Sequence, residues 1–156
     1  MKGIVIFLLA LGLLGGLVGT ALAQNTAQQT VSYSIGVIDV LTISGNPGLL
    51  VIDATYTPAT DATTSYSITT NGTGRRITGE INTAMPANTT LEASLAAPTG
   101  GGSSAGYLAL STTPVNLVTG IPAVAETGRT ISYRFSATVA AGSLSGTRTV
   151  TLTLTN

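Results

Sequence analysis

Short stretches of alternating apolar and polar residues, separated by turn residues, recur along most of the chain. In the clearest one, residues 65–81, alternating runs lie on both sides of Asn71-Gly72. Alternation with a period of two is typical of a strand with one buried face, and Asn-Gly readily forms a tight hairpin turn. We therefore predict a β-hairpin with a four-residue turn that brings Ile68 opposite Ile77. A two-residue turn would bring Ile68 opposite Arg75 and bury the same side chains.

The same pattern predicts about nine strands and no helix after residue 24. Turn residues at intervals of about eight to twelve residues are typical of an antiparallel sandwich or barrel. Uneven strand lengths and Pro or Gly breaks favour the sandwich. The predicted fold class is therefore all-β, an antiparallel two-sheet sandwich of immunoglobulin-like or fimbrial-like type. The first strand is either continuous or bent near Gly36. Outside the hairpin, the predicted strands are residues 31–43, 49–56, 89–96, 107–111, 115–119, 130–140 and 147–155.

The first 23 residues have the features of a secretory signal peptide. An apolar run follows a single early lysine, and Ala21 and Ala23 are small residues at the two positions that signal peptidase reads. We predict cleavage before Gln24. Residues 1–23 would then be the signal peptide, and residues 24–156 a single secreted β-sandwich domain at the cell surface.

Two other interpretations of this segment stay open. Residues 3–23 are uncharged. Their number is close to the ~20 residues that span a bilayer, so an uncleaved segment would anchor the protein in a membrane. That is the only membrane contact we predict. Lys2-Gly3 before a long apolar run also resembles the processing site of type IV pilin-like subunits, whose apolar helix is retained and packs into a filament core.

Composition and charge exclude several classes of function. Only 8% of residues are charged and the net charge is +0, so the chain lacks the electrostatic footprint of a nucleic-acid binder. It contains neither cysteine nor histidine, so sheet packing must stabilise it without disulfides. The abundance of Thr, Ser, Ala and Gly suits an extracellular surface.

No stretch of the sequence carries a convincing catalytic or metal site. Residues 102–106 match the G-x-S-x-G nucleophile pattern, but the chain has no histidine to act as the base. A two-carboxylate hydrolase would need the fold to bring two acids together, for example Asp53 and Glu92. A calcium ion bound by Asp39, Asp53 or Asp61 is an alternative, although no loop has ligand spacing. We therefore predict no catalytic residue, no cofactor, no metal and no enzymatic activity.

Two further features concern glycans. Asn71 and Asn88 fit the N-x-[ST] glycosylation pattern, with ordinary turn asparagines as the alternative. Tyr56 and Tyr107 are the tyrosines least clearly in phase with apolar neighbours. An exposed line of these two rings would favour a second function, the binding of a carbohydrate or another surface polymer.

Three predicted strands contain copies of a similar five-residue motif, which we call the shared motif: Val31-Ser-Tyr-Ser-Ile35, Thr64-Ser-Tyr-Ser-Ile68 and Ile131-Ser-Tyr-Arg-Phe135. Together with the apolar N-terminal segment and the terminal Thr-Val-Thr-Leu-Thr-Leu-Thr strand, they resemble secreted β-sandwich surface proteins, and fimbrial and spore-coat-like subunits are the nearest group. The resemblance implies an exported structural or adhesive subunit that self-associates into filaments or an extracellular matrix. Assembly would proceed by strand addition, in which an N-terminal segment of one subunit completes the sheet of the next.

Residues 24–37 are the candidate donor segment for such an assembly. Four apolar residues in this segment alternate with small or polar ones and share one face of an extended strand; we refer to them as the donor row: Val31, Tyr33, Ile35 and Val37. The alternative is that the segment forms an ordinary first strand within its own subunit. A surface with few charges to protect sheet edges also fits self-association.

Overall fold

The computed structural model describes residues 26–156. The chain divides into two compact units, residues 1–34 and 35–156. The described part of the first unit contains no strand. The described residues contain no α-helix, and a 3-10 turn is formed by Val139–Ala141. The nine strands all lie in the second unit: β1 (Asp39–Ser44), β2 (Ala59–Thr70), β3 (Arg75–Ile81), β4 (Thr89–Leu95), β5 (Ser103–Ser104), β6 (Leu108–Ala109), β7 (Val115–Ile121), β8 (Val124–Ala137) and β9 (Val150–Thr155).

The strands form two sheets in which all neighbouring strands are antiparallel. The five-stranded sheet has the order β1-β2-β8-β4-β6, and the four-stranded sheet has the order β5-β7-β3-β9. The predicted all-β fold with two antiparallel sheets is therefore confirmed.

One hydrophobic core is shared by both sheets. In β2, β3, β4 and β8, inward-pointing residues at alternate positions are buried over part of the strand, as a period of two requires. Burying a large aliphatic side chain stabilises the fold by about 1.5–3 kcal/mol. Gly79 of β3 lies where the packing is tightest, because a Cβ atom there would come within 2.6 Å of Leu117 Cδ1. The core side chains are Tyr66, Ile68, Ala93, Leu95, Ile131 and Tyr133 from the larger sheet, Ile77, Ile81, Leu117, Val118 and Ile121 from the smaller one, and Leu110.

The predicted hairpin between residues 65 and 81 is wrong. β2 pairs with β1 and β8, whereas β3 pairs with β7 and β9, so the turn after Thr70 carries the chain from one sheet to the other. Ile68 and Ile77 are both buried, as predicted, but they enter the core from opposite sheets. The alternating pattern identified the buried face of each strand, and it carried no information about the partner strand.

Two predicted strands near the N-terminus are also wrong in extent or existence. The first begins at Asp39 rather than at Val31, because its partner β2 ends opposite Asp39, at Thr70. Residues 49–56 form no strand. A turn closes that stretch: the amide of Tyr56, whose φ is 55°, donates to the carbonyl of Asp53 at 3.1 Å.

Other boundaries shift toward longer or shorter strands. β2 begins at Ala59, inside a predicted loop, and β8 begins at Val124 and contains a predicted turn. Register shifts between β2 and β8 show that bulges accommodate these turn-like residues within long strands. β5 lies in a stretch that we predicted to be a loop, and β9 begins at Val150 rather than at Thr147.

Candidate assembly site

The donor row is exposed in this structure. Tyr33 is 93% exposed and Ile35 is 80% exposed, and Val31 and Val37 are exposed as well. Residues 31–38 belong to no strand, so the alternative that they form an ordinary first strand of their own subunit is not what the structure shows. Exposed large apolar side chains in a regular row are typical of a surface that binds a partner.

The residues that follow the donor row are fixed by the side chain of Asn71. Its Oδ1 atom accepts a hydrogen bond from the amide of Ile38 at 2.9 Å, and its Nδ2 atom donates to the carbonyl of Gly36 at 2.8 Å. Asn71 also donates its own amide to the carbonyl of Ile38 at 3.1 Å. The asparagine thus extends the pairing of β1 with β2 slightly beyond the end of the strands.

An ion pair marks the first residue of β1. The Asp39 carboxylate accepts hydrogen bonds from Arg75 Nε at 3.1 Å and from Thr70 Oγ1 at 2.6 Å, and it lies 2.7 Å from Arg75 Nη2. The Arg75 side chain is only 10% exposed. The sequence analysis considered Asp39 only as a calcium ligand and did not predict this pair.

Both glycosylation candidates use their amide nitrogens within the fold. Asn71 donates to Gly36, and Asn88, whose φ is 64°, donates to the carbonyl of Ala140 at 3.3 Å. Such contacts are typical of asparagines at turns. Glycan attachment at either residue stays a prediction.

Each sheet has two end strands, β1 and β6 in the larger sheet and β5 and β9 in the smaller one, and the edges of β1 and β9 are the two that lie together. Within the described chain, β1 pairs only with β2 and β9 pairs only with β3. These two end strands also pack against each other. Both free edges therefore lie on the same side of the molecule.

A large groove opens next to these two edges; we refer to it as the side groove. Its volume is about 1390 Å³. Residues 43–53 form one wall, residues 141–150 form a second wall, and Leu91, Tyr133 and Phe135 extend the inner face of the larger sheet into it. The groove has an apolar lining in part, and its residues were not identified from the sequence as one site.

The carboxylates considered for hydrolysis are bound by other side chains. Arg134 donates to both Glu92 oxygens, at 2.6 and 2.8 Å, and these bonds lower the pKa of Glu92. The hydroxyl and amide of Thr55 lower the pKa of Asp53. A general acid for glycoside hydrolysis needs a raised pKa, so neither carboxyl suits that role.

The serine motif has a different setting from a nucleophile turn, and a calcium ion bound by one aspartate plus carbonyl oxygens stays a hypothesis. Ser103 and Ser104 form β5 at the edge of the smaller sheet, where they pair with β7 and lead into no helix. No three acidic side chains among residues 26–156 lie close enough together to hold a metal ion. None of the helical structure in that range is long and apolar enough to cross a membrane.

Tyr56 and Tyr107 do not form a shared platform. Tyr107 stacks on Arg134, whose guanidinium carbon lies 4.3 Å from the ring centre. Tyr56 instead lines the side groove. The two rings therefore contact different parts of the molecule.

The predicted cleavage site at Ala21, Ala23 and Gln24 lies outside the described residues, as do the alternatives of a retained anchor or a pilin-like helix. No protein-family model, curated protein or solved structure matches this chain.

Proposed function

We propose that this protein is an exported, non-enzymatic structural or adhesive subunit of the cell surface, of fimbrial or spore-coat-like kind. In this proposal, copies of the chain associate by strand addition, and the donor row is the element that one copy inserts into the next. The fold would then be a fimbrial-like sandwich that is completed only in the assembly.

The observation that carries the proposal is the difference in burial among the three copies of the shared motif. Tyr66 and Ile68 in β2, and Ile131 and Tyr133 in β8, are buried in the centre of the larger sheet. The first copy has the same Ser-Tyr-Ser-Ile sequence as the β2 copy, yet its Tyr and Ile side chains are exposed. A segment with the composition of a central strand and no sheet of its own is suited to join the sheet of a partner.

The lack of protective features supports the same function. Natural sheets block unwanted strand addition with charged residues, prolines or bulges on edge strands. β9 has the sequence Val-Thr-Leu-Thr-Leu-Thr and contains none of these. The formal net charge of +0 also means that no long-range repulsion opposes the association of copies.

Negative-stain electron microscopy of the natively secreted protein tests this function. A double variant, Tyr33→Asp with Ile35→Asp, places two charges in the donor row. The matched control, Ser32→Asp with Ser34→Asp, places the same charges on the opposite face of the same segment. We expect filaments or fibrous aggregates from the wild type and the control, and monomers from the donor-row variant, with unchanged far-UV circular dichroism.

A second variant removes residues 24–37 and should stay folded and monomeric, which size-exclusion chromatography would show. A wild-type protein that remains small and monodisperse would refute self-assembly. Filaments that persist in both variants would instead favour the pilin-like alternative, in which the N-terminal apolar segment forms the contacts.

A further inference from the structure

The side groove combines an apolar wall with backbone groups that lack partners. Leu49 is 89% exposed and Val51 is exposed as well. Within the described chain, the backbone of residues 49–52 makes no hydrogen bond. Thr64 also lines the groove, and its buried hydroxyl has no hydrogen-bond partner among residues 26–156. Buried polar groups in complete folds are nearly always bonded, so the unpaired hydroxyl of Thr64 indicates an incomplete site.

The free edge of β9 presents unpaired backbone groups, and the first residue of this strand, Val150, lines the side groove. The amide of Asn82 donates to the carbonyl of Thr149, while the amide of Ile81 donates to the other side, to Ser111. Since alternate residues of antiparallel strands face opposite neighbours, Thr151 and Thr153 face β3. The amide and carbonyl of Leu152 therefore point to the free edge.

Several details favour the edge of β9 over that of β1. β9 contains no charged residue, and its register with β3 is continuous over six residue pairs, as that of β1 with β2 is. β1 begins with the charged Asp39, and the residues before it are held by Asn71. The smaller sheet also has one strand fewer than the larger one. Arg148, which precedes β9, does not guard the edge, because its guanidinium is bonded to the carbonyls of Ala84 and Thr147.

We propose that residues 31–37 of a second copy of this chain bind as a strand along the free edge of β9, with one end of the donor row reaching the side groove at Val150. This inference rests on the proposed function and identifies β9 as the strand that the donor segment joins. Seven extended residues span roughly 23 Å and the six residues of β9 roughly 20 Å, so the lengths match. The exposed apolar side chains of the donor row would be buried by this contact.

Disulfide trapping tests the acceptor, because the chain has no cysteine of its own. Ser34 lies on the opposite face from the donor row, so in the proposed complex it lies on the outer face beside the threonines of β9. We therefore combine Ser34→Cys in the full chain with Thr151→Cys, Thr153→Cys or Thr155→Cys, which covers the possible registers. Directly opposed residues on neighbouring strands have the Cα separation that a disulfide requires.

The matched control combines Ser34→Cys with Thr42→Cys on the outer face of β1. We expect one or more β9 pairs to give a ladder of covalent multimers on non-reducing gels, which reductant converts to monomer. The β1 pair and the single Ser34→Cys variant should give no multimers above dimer. Filaments with no ladder from any β9 pair, or an equal ladder from the β1 pair, would overturn this inference alone. Absence of filaments in the wild type would overturn the proposed function as well.

Discussion

Residues 32–35 and residues 65–68 have the same sequence, Ser-Tyr-Ser-Ile, and opposite environments. Tyr66 and Ile68 are each 1% exposed in β2, a strand with partners on both sides. Tyr33 and Ile35 are almost fully exposed and belong to no strand. The comparison teaches that a strand sequence is not sufficient for a place in the sheet, because an available neighbouring edge decides whether the segment pairs.

The difference arises within a few residues of the start of β1. Ion pairing of Asp39 with Arg75 and the bonds of Asn71 fix the point where pairing with β2 ends. Beyond that point, β2 has turned toward the other sheet, and the upstream residues have no edge to join. The exposed copy is therefore a consequence of the crossover between sheets.

The largest expected effect comes from truncating the isoleucine in each copy. Ile68→Ala should lower the free energy of unfolding by about 3 kcal/mol, because it leaves a cavity in the core. Ile35→Ala should change it by less than about 0.5 kcal/mol in the monomer, as is usual for exposed positions. Urea denaturation of monomeric protein measures both values. Equal losses would mean that the two copies have similar environments.

A somewhat smaller loss is expected from Asp39→Asn at the boundary between the two regions. The substitution leaves the Arg75 guanidinium buried without a counter-charge, which we expect to cost roughly 2 kcal/mol, less than a fully buried pair because Asp39 is 28% exposed. Glu80→Gln removes the same charge from a residue that forms no ion pair in the described chain. If both variants unfold at the same urea concentration, the ion pair does not stabilise the boundary.

The smallest effect concerns the two tyrosine hydroxyls. The hydroxyl of Tyr66 donates to the carbonyl of Ala96 at 2.6 Å. Tyr66→Phe removes this hydrogen bond and should lower the free energy of unfolding by about 1 kcal/mol at neutral pH. Tyr33→Phe should cost nothing measurable in the monomer, since that ring is 93% exposed. Thermal or urea unfolding at pH 7 distinguishes the two variants.

The stability at alkaline pH provides a further test of the Tyr66→Phe variant. Burial raises the pKa of Tyr66 to about 12, compared with about 10 for an unfolded tyrosine. The folded state therefore holds this proton more tightly, so the contribution to stability is complete below pH 10 and is lost as the pH rises toward 12. The free energy of unfolding should fall by up to about 1.4 kcal/mol per pH unit. Tyr66→Phe should flatten this slope, whereas an unchanged slope would contradict the assignment.

Hydrophobic alternation allowed the buried faces to be predicted, but not the pairing of strands. Val150, Leu152 and Leu154 face inward in β9, as expected, and the inward positions of β2 and β3 were also predicted correctly. The hairpin failed because a turn sequence such as Asn71-Gly72 is equally compatible with a crossover between sheets. The predicted strand at residues 49–56 has the right alternation but pairs with no other strand, and no local pattern encodes that outcome.

The candidate assembly site was also predictable only in part. The donor row was identified from its period of two, because apolar residues that alternate with serines mark one face of an extended strand. The side groove was not, since its walls come from residues separated by about a hundred positions in the sequence. Only the packing of β1 against β9 brings those walls together.

Hydrogen exchange of residues 31–37, measured by mass spectrometry in assembled and in monomeric protein, tests the central claim most directly. We predict that this segment exchanges at the rate of an unprotected chain in the monomer and becomes protected in the assembly to a level near that of residues 64–68. An assembly in which residues 31–37 still exchange as fast as in the monomer would contradict strand addition by this segment.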